Sequence, residues 1–146
     1  MVIDNILAAI DVLANGHALL LMAVGVAAGL IAGAIPGFTI AMAVVLTLPF
    51  TFGMSAHLGL ATMVSVLVGG LSGGLMAGIL TGIPGTPSSV ATTFDGYPMA
   101  QKGKAGQALT AAFTSSFIGA FIAVVMITFL APMVAKFALK FGAPEF

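Results

Sequence analysis

Residues 54–82 read MSAHLGLATMVSVLVGGLSGGLMAGILTG, and they are the strongest indication of the fold class. It contains no charged side chain, and it is long enough to cross a bilayer, whose hydrocarbon core of about 30 Å needs about 20 apolar helical residues. Its apolar residues run continuously instead of alternating, which favours a membrane helix over a strand of a closed barrel. The stretch is therefore predicted to be a transmembrane helix.

The absence of charge extends well beyond this stretch. Asp11 and Asp95 enclose 83 residues without a formal charge, and Lys104 and Lys136 enclose 31 more. Because the backbone in hydrocarbon must satisfy its own hydrogen bonds, the chain is predicted to be an all-α, polytopic transmembrane protein. Its net charge of zero leaves no basic patch for nucleic acid, and its lack of cysteine excludes disulfides and thiolate metal sites.

Proline, glycine and polar residues divide the chain into segments. An interior proline removes a backbone hydrogen bond, so we expect the first membrane segment to break at Pro36-Gly37 and at Pro49. The pairs Asp95-Gly96 and Tyr97-Pro98 are typical of turns. The predicted segments are an interfacial amphipathic helix over 2–14, membrane segments over 17–50, 54–82 and 105–131, and a polar loop over 84–98.

Two sets of glycines are spaced by four residues, and each set gives a helix a smooth stripe that another helix can approach closely. Each set runs into the sequence Ile-Pro-Gly, at residues 35–37 and 83–85. Paired breaks in hydrophobic segments indicate a transporter binding site. An internal repeat and two ordinary glycine-rich helices with proline kinks both remain open as explanations. The two sets are Gly25, Gly29, Gly33 and Gly37, and Gly70, Gly74, Gly78 and Gly82.

The polar segment offers a helix start. Thr86 is a good N-cap residue and Pro87 a good first helical residue. A helix beginning there would direct the N–H groups of Ser88 and Ser89 toward the Pro-Gly break, and such an N-terminus binds carboxylates without a basic side chain. Freed carbonyls and nearby hydroxyls could coordinate a small cation. The alternative that stays open is a hydrophilic loop between helices.

Candidate site residues come from both breaks. Asp95 is either a membrane carboxylate that couples to a cation or proton, or the first residue of an Asp-Gly turn near Lys102 or Lys104, and the turn is preferred. The candidates for ion coupling are Thr86, Ser89, Thr92 and Asp95. The candidates for substrate binding are Pro36, Gly37, Thr39, Pro84, Gly85, Thr86, Pro87, Ser88 and Ser89.

Enzymatic motifs are missing from the sequence. It has no nucleophile elbow, no P-loop and no His-Glu-x-x-His. His17 and His57 stand alone, without a partner at metal-ligand spacing. We therefore expect no catalytic residues, no cofactor and no metal site beyond one for sodium, and a membrane-embedded enzyme is the weakest hypothesis.

The polar segment and its flanks resemble a known family. The run PGTPSSVATTFDGYP, residues 84–98, is followed by Ala100, by Lys102 to Gly106 and by Ala108-Leu109. Shorter matches are Gly33-Ala34-Ile35-Pro36-Gly37, Leu48-Pro49-Phe50 and Gly142-Ala143-Pro144-Glu145-Phe146. With these residues the chain resembles, over nearly its whole length, the N-terminal part of the large membrane subunit of the bacterial tripartite tricarboxylate transporters.

The resemblance implies a secondary transporter for tricarboxylates or related organic acids, driven by a sodium or proton gradient. It implies a multi-pass protein of the bacterial inner membrane whose partners are a small membrane subunit and a periplasmic solute-binding protein. It also implies that the Pro-Gly segments 36–39 and 84–89 form the substrate and ion region. Because the family's large subunit is several times longer, residues 1–146 are expected to be one permease region of a longer subunit. The alternative hypothesis is a non-transporting membrane scaffold that assembles through its glycine-rich helix faces.

Overall fold

The computed structural model of the chain describes residues 7, 9–11 and 13–138. Within these residues there is no strand, which confirms the all-α prediction. The helices are α1 (Gly16–Ala34), α2 (Ile40–Thr51), α3 (Ala56–Thr81), α4 (Val90–Met99) and α5 (Ala105–Ala138). A 3₁₀ turn, Pro87–Ser89, leads into α4, and a π-helical turn, Ala100–Lys104, joins α4 to α5.

Three helical stretches in the described part are long and apolar enough to cross a membrane: Gly16–Ala34, Ala56–Thr81 and Pro87–Ala131. They agree with the polytopic prediction. The interfacial helix predicted over 2–14 lies mostly outside the described residues, and those of its residues that are described before residue 14 are helical. The chain divides into two compact units, Met1–Leu109 and Thr110–Phe146.

Within the first unit, α1 and α3 run parallel with their backbones in contact. Gly25 lies against Ser65, and Gly33 lies against the Gly70 carbonyl. A Cβ atom at Gly33 would overlap that carbonyl oxygen, so only glycine permits this approach. The first glycine stripe is therefore a packing surface, as its spacing predicts. Gly37, the last member by spacing, has φ 88°, and a Cβ atom there would meet no packing partner within 4 Å, so it serves the turn after α1 instead.

Helix α2 runs antiparallel to α3. Ile40, at the start of α2, is the neighbour of Gly70, whereas Thr51, at its end, is the neighbour of Gly59. Pro49 does not end this helix, contrary to the prediction. Pro49 cannot donate to the Val45 carbonyl, yet the helical bond from the Phe52 N–H to the Leu48 carbonyl just after it is formed at 3.0 Å. The helix therefore continues to Thr51.

The predicted turns at Asp95-Gly96 and Tyr97-Pro98 are also wrong. All four residues belong to α4, and helical structure begins at Pro87. Gly96 is buried against Ile79 of α3, so the helix gains packing at the position where a turn was expected. Local turn preference is weak compared with such tertiary packing.

Candidate functional site

The second glycine stripe holds the polar segment in place. A Cβ atom at Gly74 would come within 2.5 Å of the Thr86 side chain, and one at Gly82 within 2.9 Å of the Tyr97 ring. Between them, Gly78 lies against the Ser89 carbonyl and the Thr92 hydroxyl. The 3₁₀ turn and α4 thus lie directly on the smooth face of α3.

Gly82 has a second role, because it ends α3. It adopts the left-handed conformation with φ 74°, and its N–H donates to the Gly78 carbonyl at 3.1 Å. A glycine in this conformation is a common helix stop, since it has no Cβ to clash. The chain then turns back along α3 toward Gly74.

Thr86 caps the helix that starts at Pro87, as the sequence predicts, and Ser89 completes the cap. The Ser89 hydroxyl accepts a hydrogen bond from the Thr86 N–H at 3.2 Å and donates to the Thr86 carbonyl at 2.8 Å. The two side chains are 4% and 3% exposed. Their polar atoms therefore satisfy one another inside the fold, which fixes the position of the helix N-terminus.

A chain of hydroxyl groups leads from this cap to the surface of the unit. The Thr86 hydroxyl donates to Ser89 Oγ at 3.2 Å and lies 3.1 Å from Ser88 Oγ. Ser88 itself is exposed. Its hydroxyl and its backbone N–H, which belongs to the first helical turn, are the polar groups best placed to meet a ligand.

The second Pro-Gly break contacts the last turn of α1, the helix that leads to the first break. Gly85 contacts the Gly33 carbonyl at the end of α1, and a Cβ atom at Gly85 would overlap that oxygen and lie 2.9 Å from Gly74 Cα. The C-terminal end of α1, which carries partial negative charge, therefore adjoins the N-terminal end of the helix that starts at Pro87, which carries partial positive charge. We call this contact of Gly33, Gly74 and Gly85 the glycine junction.

The residues of the first break have a more open setting. Pro36, Gly37 and Thr39 are exposed. The Thr39 hydroxyl accepts a hydrogen bond from the Met42 N–H at 3.2 Å and so caps α2. Among the nine predicted substrate residues, the structure gathers Gly85, Thr86 and Ser89 into a buried cluster. The three residues of the first break lie outside that cluster.

Three of the four ion candidates lie together. The Thr92 hydroxyl donates to the Ser89 carbonyl at 2.6 Å, which joins Thr92 to the Thr86–Ser89 cap. Asp95 is separate from them: it is exposed and forms no hydrogen bond with these hydroxyl groups. In the described part of the chain, Asp95 forms no ion pair with Lys102 or Lys104.

Sequence reasoning missed a further packing surface on α3, formed by Gly69 and Gly73. Gly69 and Gly73 contact the backbones of Val26 and Leu30 on α1. Helix α3 therefore packs on α1 through Gly69, Gly70 and Gly73, whereas Gly74, Gly78 and Gly82 contact the polar segment. The signal was present as two glycine pairs spaced by four, Gly69-Gly70 and Gly73-Gly74. A pair of adjacent glycines exposes backbone on two faces of a helix, which a single stripe does not.

Comparison with known proteins gives a relative and a family. An uncharacterized 52.8 kDa protein in the TAR-I ttuC' 3' region of Agrobacterium vitis is 45% identical over 64 residues. That match covers 44% of this chain and spans 13% of the relative's length. No solved structure matches the chain. The model of the tripartite tricarboxylate transporter TctA family matches residues 19–146, so the chain belongs to this family.

Proposed function

We propose that the chain is one membrane-embedded region of a cation-coupled secondary transporter that imports tricarboxylates or related organic acids. The observation that carries the proposal is the glycine junction, where two interrupted helices meet inside an apolar unit. Transporter sites are commonly built from such discontinuous helices, with half-helix N-termini facing anionic groups and freed carbonyls facing the cation. Membership of the TctA family gives independent support.

The proposed contact for the substrate is the start of the helix at Pro87. A carboxylate there would accept from the Ser88 N–H and hydroxyl, and the helix dipole would favour its negative charge. The buried cap formed by Thr86 and Ser89 would hold these donors in position. Residues 1–146 contain no Arg, and a helix N-terminus binds an anion without a basic side chain.

The proposed cation site uses neutral oxygens near the same junction. Candidate ligands are the hydroxyls of Thr86 and Thr92 and the carbonyls at the C-terminal end of α1. The Ser89 hydroxyl, whose hydrogen bonds all go to Thr86, would hold Thr86 in position for the cation. Hydroxyl and carbonyl oxygens suit a hard cation such as sodium. Asp95 lies apart from these groups, so we propose no direct part for it in this cluster.

The complete system would include further components. We propose a small membrane subunit and a periplasmic solute-binding protein as partners, and the bacterial inner membrane as the location, because the tripartite family to which the chain belongs implies a system of several subunits. The scaffold alternative has less support. Both glycine stripes that would serve for assembly already contact elements of the same chain.

The test is uptake of radiolabelled di- and tricarboxylates into proteoliposomes that contain the complete subunit, the small membrane subunit and the binding protein. We expect accumulation that requires a sodium or proton gradient. The variant Ser88→Ala should lower uptake without lowering thermal stability, because Ser88 is exposed and its hydroxyl is not needed for the cap. The double variant Ser88→Ala with Ser89→Ala should lose uptake and some stability.

A second pair of adjacent serines provides a matched control. Ser115 and Ser116 lie on α5, both are exposed, and the Ser115 hydroxyl bonds only to the Ala111 carbonyl of its own helix. Changing both to alanine should leave uptake near the wild-type level. Unaltered uptake in the Ser88-Ser89 double variant would refute the site, and absence of uptake of any acid by the folded wild-type system would refute the transport proposal.

A further inference from the structure

We infer that the two Pro-Gly breaks are the tips of two segments that enter the membrane from opposite faces and end inside the hydrocarbon. The first segment is the α1–α2 hairpin, and the second is residues 82–99. This inference concerns membrane depth alone and stands whether or not the chain transports organic acids.

The direction of the first segment follows from its contacts along α3. Helix α1 rises in parallel with α3, with Gly25 beside Ser65 and Gly33 beside Gly70. Helix α2 runs in the opposite direction: its first residue, Ile40, lies beside Gly70 of α3, and its last residue, Thr51, lies beside Gly59 of α3. The hairpin therefore enters at the end of α3 that begins with Ala56, and Gly33 and Ile40, which flank its tip, both lie beside Gly70.

The second segment enters from the other end of α3. After Gly82 the chain turns back, and Gly85 and Thr86 lie at the level of Gly74. The helix that starts at Pro87 then runs parallel to α3 until Tyr97 reaches Gly82. Both ends of this segment therefore lie at the end of α3 that finishes with Thr81.

The length of α3 sets the depth of the two tips. Its 26 residues span about 39 Å, so a hydrocarbon core of about 30 Å centred on it would end about 5 Å short of each terminus. Gly70 and Gly74 lie about 16 and 10 Å before the C-terminal end of α3 at 1.5 Å per residue. Both tips are thus about 6 to 12 Å below the nearer hydrocarbon surface.

Cysteine tagging tests this arrangement directly. Residues 1–146 contain no cysteine, and any cysteine elsewhere in the complete subunit would first be changed to serine. Single variants Gly53→Cys and Gln101→Cys mark the two faces. A Cβ atom at Gly53 meets no neighbour, and Gln101 is exposed. Pro36→Cys and Pro87→Cys mark the tips, and both prolines are exposed within the chain. Each would be placed in the complete subunit and treated, in right-side-out and inverted vesicles, with a polyethylene-glycol maleimide too bulky to enter a membrane cavity.

We expect Gly53→Cys and Gln101→Cys to be tagged from opposite faces, and both tip variants to be tagged from neither face until SDS is added. Tagging of Pro36→Cys from the face at which Gln101→Cys is tagged would mean that α1 crosses the membrane fully. Tagging of Pro87→Cys from that same face would place the polar segment at the membrane surface. Tagging of Gly53→Cys and Gln101→Cys from one face would mean that α3 does not cross. Each of these results would overturn the inference. If a tip variant fails to fold, Phe38→Cys or Ser88→Cys replaces it with the same expectations.

Discussion

At the scale of single residues, Ser89 is a buried residue of the candidate site whose hydrogen bonds hold the helix cap together. Its hydroxyl makes three hydrogen bonds, all to Thr86, at a position that is 3% exposed. These bonds leave Ser89 little capacity to bind a ligand directly while the cap is intact. Its neighbour Ser88 is exposed, and its hydroxyl has one hydrogen bond, to the Thr86 hydroxyl. Ser88 is therefore better placed to bind a ligand.

The first prediction concerns this cap. In Ser89→Ala the buried Thr86 N–H loses its partner, and an unsatisfied buried donor costs about 1–3 kcal/mol. We expect the thermal unfolding midpoint of the purified protein in detergent to fall. Ser115→Ala, which removes an exposed hydroxyl bonded to its own helix, is the control and should not change the midpoint. Equal midpoints for the two variants would show that the cap does not stabilise the fold.

At the scale of helices, close backbone contact is the main device of the first unit. The side chains between α1 and α3 are small, and the largest fully buried side chains in the described residues are Ile79 and Val66. Lipid tails are as apolar as leucine, so membrane helices associate by close packing and not by hydrophobic burial. Glycine stripes provide that packing here.

The second prediction follows from these stripes. Gly73→Ala places a Cβ atom onto the Leu30 carbonyl of α1, and neither backbone can move without separating the helices. We expect a large loss of folded, monodisperse protein on size-exclusion chromatography. Gly119→Ala on α5 adds the same methyl group where no atom lies within 4 Å, so its yield should match wild type or exceed it. Similar yields for both variants would contradict the packing assigned to Gly73.

The third prediction concerns Pro49, which lies inside α2 and is exposed. Proline inside a helix costs about 3 kcal/mol relative to alanine. Pro49→Ala restores a backbone N–H that can donate to the Val45 carbonyl, so we expect the unfolding midpoint to rise. A fall would indicate that a bend at Pro49 is needed to seat α2 against α3. Circular dichroism during heating in detergent measures the change.

At the scale of the whole molecule, the sequence predicts the membrane helices better than their arrangement. The predicted segment 54–82 corresponds to α3, Ala56–Thr81, because uncharged length and the stop at Gly82 are local signals. The cap at Thr86 and Pro87 is likewise a local pattern and is confirmed. The parallel packing of α1 on α3 could not be predicted, since it depends on which face of each helix meets the other.

The same distinction explains the errors in the polar segment. Asp95-Gly96 and Tyr97-Pro98 have the local preferences of turns, yet the packing of Gly96 on Ile79 and of Tyr97 on Gly82 holds them in a helix. The glycines at 82 and 96 serve contacts that only the folded chain reveals. Gly85, in the second Ile-Pro-Gly sequence, contacts Gly33, in the turn of α1 that precedes the first, and this contact too depends on tertiary packing.

The glycine junction also constrains which mutations the gene can accept. Every other amino acid carries a Cβ atom, so any missense change in the codon of Gly33 or Gly85 places a carbon onto a neighbouring carbonyl oxygen. Compensation would need a simultaneous shift of two backbones, which a single nucleotide change elsewhere cannot supply. In a library of all single substitutions selected for growth on the transported acid, these two codons should tolerate only synonymous change, while the codon of Gly53, whose Cβ would meet open space, should vary freely.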